Sequence, residues 1–100
     1  MTDPNRHVSA GTSITINGVR WCVQLLRRYP RGWRKKEQHG FAEPDIRRLR
    51  IVETQTPREL LITIIHEVRH AQNWDLAEEA VEREATELAD VLIALGYRRG

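Results

Sequence analysis

The sequence is poor in cysteine, in aromatic residues and in long apolar runs. Its 100 residues include one cysteine, Cys22, and six aromatic residues. A single cysteine cannot form an internal disulfide, which excludes the small disulfide-stabilised secreted domains. No stretch reaches the roughly 18 consecutive apolar residues of a membrane span, and the first dozen residues lack the apolar run of a secretory leader. We therefore expect a cytoplasmic protein with no membrane partner.

Charge is distributed unevenly, although the net charge is only +2. Residues 1–58 contain 12 Lys/Arg and 5 Asp/Glu, whereas residues 59–100 contain 4 and 9. We favour the interpretation that two oppositely charged halves pack together, and the alternative is a basic surface for nucleic acid. Trp33, in the basic segment RGWRKK, could stack on a base, but it has no second aromatic residue at a useful interval. Nucleic acid is therefore the less favoured partner.

The first half of the chain has the pattern of a hairpin. Residues 1–12 are polar and are predicted to form a flexible N-terminal arm, and residues 13–100 are predicted to form a single domain. Asn17-Gly18 is a strong two-residue turn signal. It joins an alternating strand over 14–16 to a longer strand over 19–26.

The segment that follows is rich in residues that break regular structure. Residues 30–46 contain two prolines and two glycines among charged residues and are predicted to be loop. A third strand is predicted over residues 48–54. Its mixed polarity is typical of an edge strand or of a strand beside a cleft.

Capping signals predict two long helices in the second half. Thr56 fits the N-cap of the first helix, Pro57 its first position, and Glu59 completes a capping box. This helix is predicted to end at about residue 73 or 74.

A second capping box, Asp75 to Glu78, opens a helix that runs to Leu95 and is ended by Gly96. Strands followed by helices predict an α+β fold. We expect about three strands in a small, twisted, mainly antiparallel sheet that packs on two long C-terminal helices.

Residues 66–70 read His-Glu-Val-Arg-His on the first of these helices. Positions i and i+4 lie about 40° apart around a helix, so His66 and His70 project from one face and can share a metal ion. Glu67 is turned roughly 100° away from His66. It is therefore placed to act on a metal-activated water as a general base rather than as a ligand.

The surrounding pattern predicts that the two histidines face a cleft. Apolar residues cluster on one side of the helix: Leu60, Leu61, Ile64, Ile65, Val68 and Ala71. His66 and His70 lie on the opposite side together with Thr63 and Asn73. The competing interpretation is a pair of solvated polar residues on an ordinary amphipathic helix.

A catalytic zinc ion has three protein ligands and a water, so a third ligand is needed. The candidates downstream of His70 are Asp75, Glu78, Glu79, Glu82 and Glu84. Glu78 falls on the apolar stripe of the second helix, Glu82 on its margin and Glu79 well off it. An uncompensated carboxylate on a packing face would be costly. We therefore predict Glu78 as the third ligand, with Glu82 as the alternative.

The second half, with LLITIIHEVRHA followed by EEAVEREATELADVLIALGYR, resembles small zinc metallopeptidases of the gluzincin type that phages and prophages encode. The minigluzincins are similar in size and helix arrangement. The resemblance is specific across residues 60–97. It implies a zincin-like domain with one Zn²⁺ ion, two histidine ligands, a helical glutamate ligand and a glutamate base.

The leading hypothesis is an enzyme that hydrolyses peptide bonds in a peptide or protein substrate, with Glu67 as general base. A substrate strand would pair with the predicted edge strand near residues 48–54. The alternative is a catalytically silent, zinc-stabilised binding module, such as a phage accessory protein or a nucleic-acid binder. A third possibility is a latent peptidase that requires removal of residues 1–12.

Overall fold

The computed structural model describes residues 11–34 and 38–98 of the chain. Its elements, in chain order, are β1 (Thr12–Ile16), β2 (Val19–Leu26), β3 (Gly40–Glu43), a 3-10 turn (Pro44–Ile46), β4 (Arg48–Val52), α1 (Pro57–Gln72) and α2 (Glu78–Ala94). The α+β class predicted from the sequence is confirmed. The sheet has four strands rather than about three.

The predicted hairpin is present at the start of the described region. Asn17 and Gly18 have φ angles of 50° and 76°, the left-handed values that a two-residue turn of type I′ requires. Ile16 pairs with Val19 across this turn, and β1 and β2 are antiparallel. Strand β1 begins at Thr12, the last residue of the predicted arm, and residues 1–10 lie outside the described residues.

The sheet is mixed, with the strand order β1-β2-β4-β3. Strands β2 and β4 are parallel, whereas β3 pairs antiparallel with β4. The prediction that residues 48–54 form an edge strand is therefore wrong, because β4 lies between β2 and β3.

The prediction of loop throughout 30–46 is also wrong, since β3 lies within that segment. A four-residue strand that begins with a glycine and is followed by a proline is too short to produce a recognisable alternation.

Helix α1 begins at Pro57 with Thr56 as its N-cap, as the capping signals in the sequence predicted. The Thr56 side chain accepts a hydrogen bond from the Glu59 backbone N–H at 3.3 Å. The predicted N-cap of α2, Asp75, is wrong by two residues, because Ala77 is the N-cap and makes no side-chain capping bond. The Asn73 side chain instead accepts a hydrogen bond from the Asp75 N–H at 3.1 Å, which forms a turn between the helices.

The C-terminal end of α2 agrees with the glycine signal. Gly96 has a φ of 91°, and its N–H donates to the Ile93 carbonyl while that of Tyr97 donates to Leu92. This is the Schellman arrangement, which satisfies the last carbonyls of a helix. In the part of the chain that the structure describes, neither helix has the length and apolarity needed to cross a bilayer.

Helix α1 lies between the sheet and α2. On its sheet side, Val68 and Ala71 pack against a buried cluster that comprises Ile16, Trp21, Ala42 and Leu49. On its other side, α2 contributes the fully buried residues Val81, Ala85 and Ala89. Two ion pairs join the helices, Arg58 with Asp90 at 2.8 Å and Arg69 with Glu84 at 3.1 Å. Helix α1 is thus packed against the sheet on one side and against α2 on the other. Polar residues between these two packed sides line a cleft.

Candidate metal centre

Helix α1 presents His66 and His70 one turn apart. Their Nε2 atoms are 3.2 Å apart, and the ring centroids are separated by 4.8 Å. Both side chains are mostly buried, at 15% and 16% exposure. The i, i+4 spacing has therefore brought two imidazole nitrogens to one point, as the sequence predicted.

Glu78, the first residue of α2, reaches both histidines. Its Oε1 lies 2.7 Å from Nε2 of His66, and its Oε2 lies 2.9 Å from Nε2 of His70. The carboxylate is 69% exposed, so its open side faces solvent. One ligand atom from each of the three residues lies within 4.8 Å of the other two, an arrangement that could hold a metal ion.

Glu82, one turn further along α2, contacts His66 from the other side of the ring. Its Oε2 lies 2.9 Å from Nδ1 of His66. A carboxylate at this distance favours the tautomer in which Nδ1 carries the proton, which leaves the lone pair of Nε2 available to a metal ion. The structure thus gives the two candidate glutamates different positions on the same imidazole.

Glu67 lies beneath β3 and directly follows His66 on α1. A Cβ atom on Gly40 would come within 2.9 Å of Glu67 Cγ and 3.2 Å of its Oε2, so the strand can approach the helix only because residue 40 is glycine. Burial raises the pKa of the Glu67 carboxyl to about 7, an effect that the negative charge of Glu78 reinforces and His66 opposes.

A cleft of about 470 Å³ lies between α1, α2 and the first residue of β3. His66, Glu67, Glu78 and Glu82 form one wall. Thr63 lines the cleft with His66, as the sequence predicted, and it is buried there, where its hydroxyl donates a hydrogen bond to Gln55 at 2.9 Å. It packs against Gly40, under the sheet, and so supports the floor of the cleft.

Sequence reasoning missed most of the residues that line the cleft, among them His39 and Gly40. His39 is partly buried, and its Nδ1 lies 2.8 Å from the Tyr29 hydroxyl. No local pattern identifies either residue. Both reach the site because β3 crosses over α1, and that crossing depends on strand pairing distant in sequence.

The remaining polar residues of the motif region point elsewhere. Arg69 donates to Glu84 on α2 and to Gln72, so its charge is compensated away from the histidines. Glu79 is exposed and does not belong to the His66, His70 and Glu78 group. Trp74 packs edge-on against His70 with a centroid distance of 6.1 Å, although it is 57% exposed.

The donor set fits a zinc ion by its chemistry and spacing. Two imidazole nitrogens and one carboxylate oxygen are ligands that zinc takes in catalytic sites. Donors bound tetrahedrally to one zinc ion lie about 3.4 Å apart. The two imidazole nitrogens are 3.2 Å apart, and the two oxygens of Glu78 lie 2.7 Å from one and 2.9 Å from the other. These separations are slightly shorter, and the exposed Glu78 side chain has room to move outward.

No protein family, curated protein or solved structure matches this chain. The resemblance to gluzincin-type metallopeptidases, and the zincin-like character of the fold, therefore stay predictions from the sequence. Any function must be argued from the site itself.

Proposed function

We propose that this protein is a zinc-dependent metallopeptidase of zincin-like fold, with His66, His70 and Glu78 as metal ligands. The observation that carries the proposal is the convergence of three donor groups from two helices at one point, beside a cleft that His66 and Glu78 line. Two of them are one turn apart on α1, and the third comes from the first turn of α2. A glutamate directly after the first histidine completes the group of residues that this chemistry needs.

The geometry favours Glu78 over Glu82 as the third ligand. Glu78 contacts the Nε2 atoms of both histidines, whereas Glu82 contacts only Nδ1 of His66. Because the two nitrogens of an imidazole point in different directions, the Glu82 carboxylate lies away from the point where the donors meet. We assign it the outer role of fixing the His66 tautomer and ring orientation.

When bound, a zinc ion supplies a Lewis acid and lowers the pKa of its water toward about 7. The chain's own residues perform the proton transfers. Glu67, beside His66 and covered by β3, takes a proton from the attacking water at a carboxylate oxygen. It then delivers that proton to the nitrogen of the leaving amine. Gly40 leaves the space in which the Glu67 side chain lies.

The substrate would bind as an extended strand beside β3. Residues 48–54 cannot take this role, because β4 is paired on both sides. Strand β3 is at the edge of the sheet and begins at Gly40, which contacts Glu67. A peptide that pairs with the open edge of β3 would therefore run past the metal ligands. Recognition through backbone hydrogen bonds gives weak sequence selectivity.

Metal analysis and peptide hydrolysis test the proposal together. We expect wild-type protein purified with zinc to hold one equivalent, and Glu78→Ala to lose it. Glu79→Ala removes the same charge from the neighbouring exposed position and should keep the ion. Glu67→Gln should keep both zinc and fold but lose hydrolysis of a peptide library. Hydrolysis by Glu67→Gln at the wild-type rate would contradict the role of Glu67, and zinc retained by Glu78→Ala would contradict the ligand assignment.

A second candidate function is a zinc-stabilised binding module without turnover. The observation in its favour is that α2 packs chiefly on α1, so an ion held by His66, His70 and Glu78 would join the two helices. This function predicts tight zinc binding and a large gain in thermal stability, with no hydrolysis of any peptide by the wild-type protein. The library assay above distinguishes it from the peptidase.

A further inference from the structure

The face of the sheet that points away from α1 carries a row of side chains from three strands. Phe41 on β3 pairs with Arg50 on β4, and Arg50 pairs with Gln24 on β2. Paired residues share a face, so the three side chains lie next to each other. Gly40, one residue from Phe41, faces α1. Because α2 packs on α1, both helices lie on the opposite side of the sheet.

The long connection between β2 and β3 places a second aromatic ring on this row. The Trp33 ring lies 6.3 Å from that of Phe41, tilted by 55°. The Arg50 guanidinium lies over Trp33 at 5.7 Å from the ring centroid. Phe41 remains 46% exposed, so part of its ring is accessible to a ligand. The result is an aromatic pair with a guanidinium packed against one ring, open to solvent. We call this group, Trp33, Phe41 and Arg50, the aromatic platform.

Two further arginines lie on the same sheet face as the aromatic platform. Arg48 follows on the same face of β4 and is held by Glu43, and Arg20 lies further along the same face of β2 and is exposed. Between residues 20 and 50 the sequence contains ten Lys/Arg and three Asp/Glu. The acidic residues concentrate on α2 instead, where Glu78 and Glu82 line the cleft on the other side of α1. A polyanion would therefore approach the sheet face and be repelled from the metal side.

We infer that the outer face of the sheet binds single-stranded nucleic acid, with a base stacked on Phe41 and the phosphate backbone held by the surrounding arginines. An exposed ring can stack on any base, and basic side chains around it track the backbone. Exposed aromatic side chains on four-stranded sheets are a known means of single-strand recognition. Three strands span about 10 Å, which accommodates two or three nucleotides. Duplex DNA hides its base faces, and an acidic peptide lacks flat rings to stack, so neither uses Phe41.

Fluorescence anisotropy of a short labelled oligothymidylate tests this inference, with the full chain at low salt. We expect wild-type protein to bind and the affinity to fall as salt rises. Phe41→Ala should weaken binding by roughly 5- to 150-fold, the range measured for loss of one stacking partner. Tyr97→Ala removes an aromatic ring that is 64% exposed at the far end of α2 and should leave binding unchanged. Phe41→Tyr keeps a ring and should retain affinity, which separates stacking from any loss of folding.

A second pair of variants, one test and one control, measures the contribution of charge to nucleic-acid binding. Arg50→Gln should weaken binding and reduce the slope of log affinity against log salt by about one, whereas Arg83→Gln, an exposed arginine on α2, should change neither. Absence of binding by wild type at low salt would overturn the inference. Equal affinity of Phe41→Ala and wild type would overturn it as well, since binding would then be purely electrostatic. Tighter binding to duplex DNA than to the oligothymidylate would also overturn the inference. Competition by polyglutamate as effective as that by unlabelled oligothymidylate would overturn it too, because either result would identify a different partner.

Discussion

Gly40 lies so close to Glu67 that a Cβ atom on the glycine would be 2.9 Å from Cγ of the glutamate. The same Cβ would be 2.8 Å from Cγ2 of Thr63. The glycine is required by this close approach, because no unusual backbone angle is involved. The contact sets how far β3 lies from α1, and therefore how deeply Glu67 is covered.

Replacing Gly40 by alanine should destabilise the protein. The added methyl group overpacks the contact between β3 and α1, which typically costs about 1–3 kcal/mol. Urea unfolding should show a lower midpoint with an unchanged slope. Thr63→Ser supplies the control, because it removes Cγ2 and keeps the hydroxyl that donates to Gln55. If Gly40→Ala costs as much in the Thr63→Ser background as in wild type, the contact with Thr63 is not the cause.

Removing Glu82 should weaken zinc binding without abolishing it. Glu82→Ala leaves the Nδ1 proton of His66 without the carboxylate 2.9 Å away, and loss of such an outer partner typically costs 10- to 100-fold in affinity. Competition with a chromogenic chelator measures the change. Glu79→Ala carries the same change in charge and should keep wild-type affinity. An equal loss in both variants would mean that net charge, rather than the contact with His66, determines the effect.

Chelation of the metal should lower the thermal stability of the protein. A ligand that binds only the folded state at 100 times its dissociation constant stabilises that state by about 2.7 kcal/mol. Here the ion would join α1 to α2 through His70 and Glu78. Melting curves recorded with excess zinc and with EDTA should therefore differ for wild type and coincide for His70→Ala. A zinc-dependent shift of the same size in His70→Ala would place the stabilising ion elsewhere.

The ion pair between Glu43 and Arg48 should make stability depend on acid pH. The hydrogen bonds from Arg48, at 2.8 and 3.2 Å, lower the pKa of the Glu43 carboxyl below its ordinary value of 4.5. A carboxyl with a lowered pKa in the folded state stabilises the protein above 4.5, and that contribution is lost as pH falls through the folded value.

Glu43→Gln should accordingly show a smaller loss of unfolding free energy on acidification than wild type. A double-mutant cycle with Arg48→Met should give a coupling of about 0.2–1 kcal/mol at neutral pH. A coupling that persists unchanged below the folded pKa of Glu43 would show that the two side chains interact through packing rather than charge.

Local signals predicted those parts of the fold that depend on neighbouring residues. Asn17-Gly18 formed the expected turn, Thr56 the expected N-cap and Gly96 the expected helix end. Asp75 is not the N-cap of α2, because the helix begins two residues later than predicted, and the Asn73 side chain instead accepts a hydrogen bond from the Asp75 N–H in the turn before it. Strand β3 was missed because its pairing with β4, rather than its own pattern, makes it a strand.

The sequence by itself determined that His66 and His70 would lie together, because a spacing of four residues on a helix leaves no other choice. Glu78 and Glu82 could not be separated in this way, since both follow the same short turn. The packing of α2 on α1 gave them different nitrogens of one imidazole. Tertiary structure likewise brought Phe41 to Trp33. Those contacts join residues from separate elements, whose distance in space is set by the core between them and not by their distance along the chain.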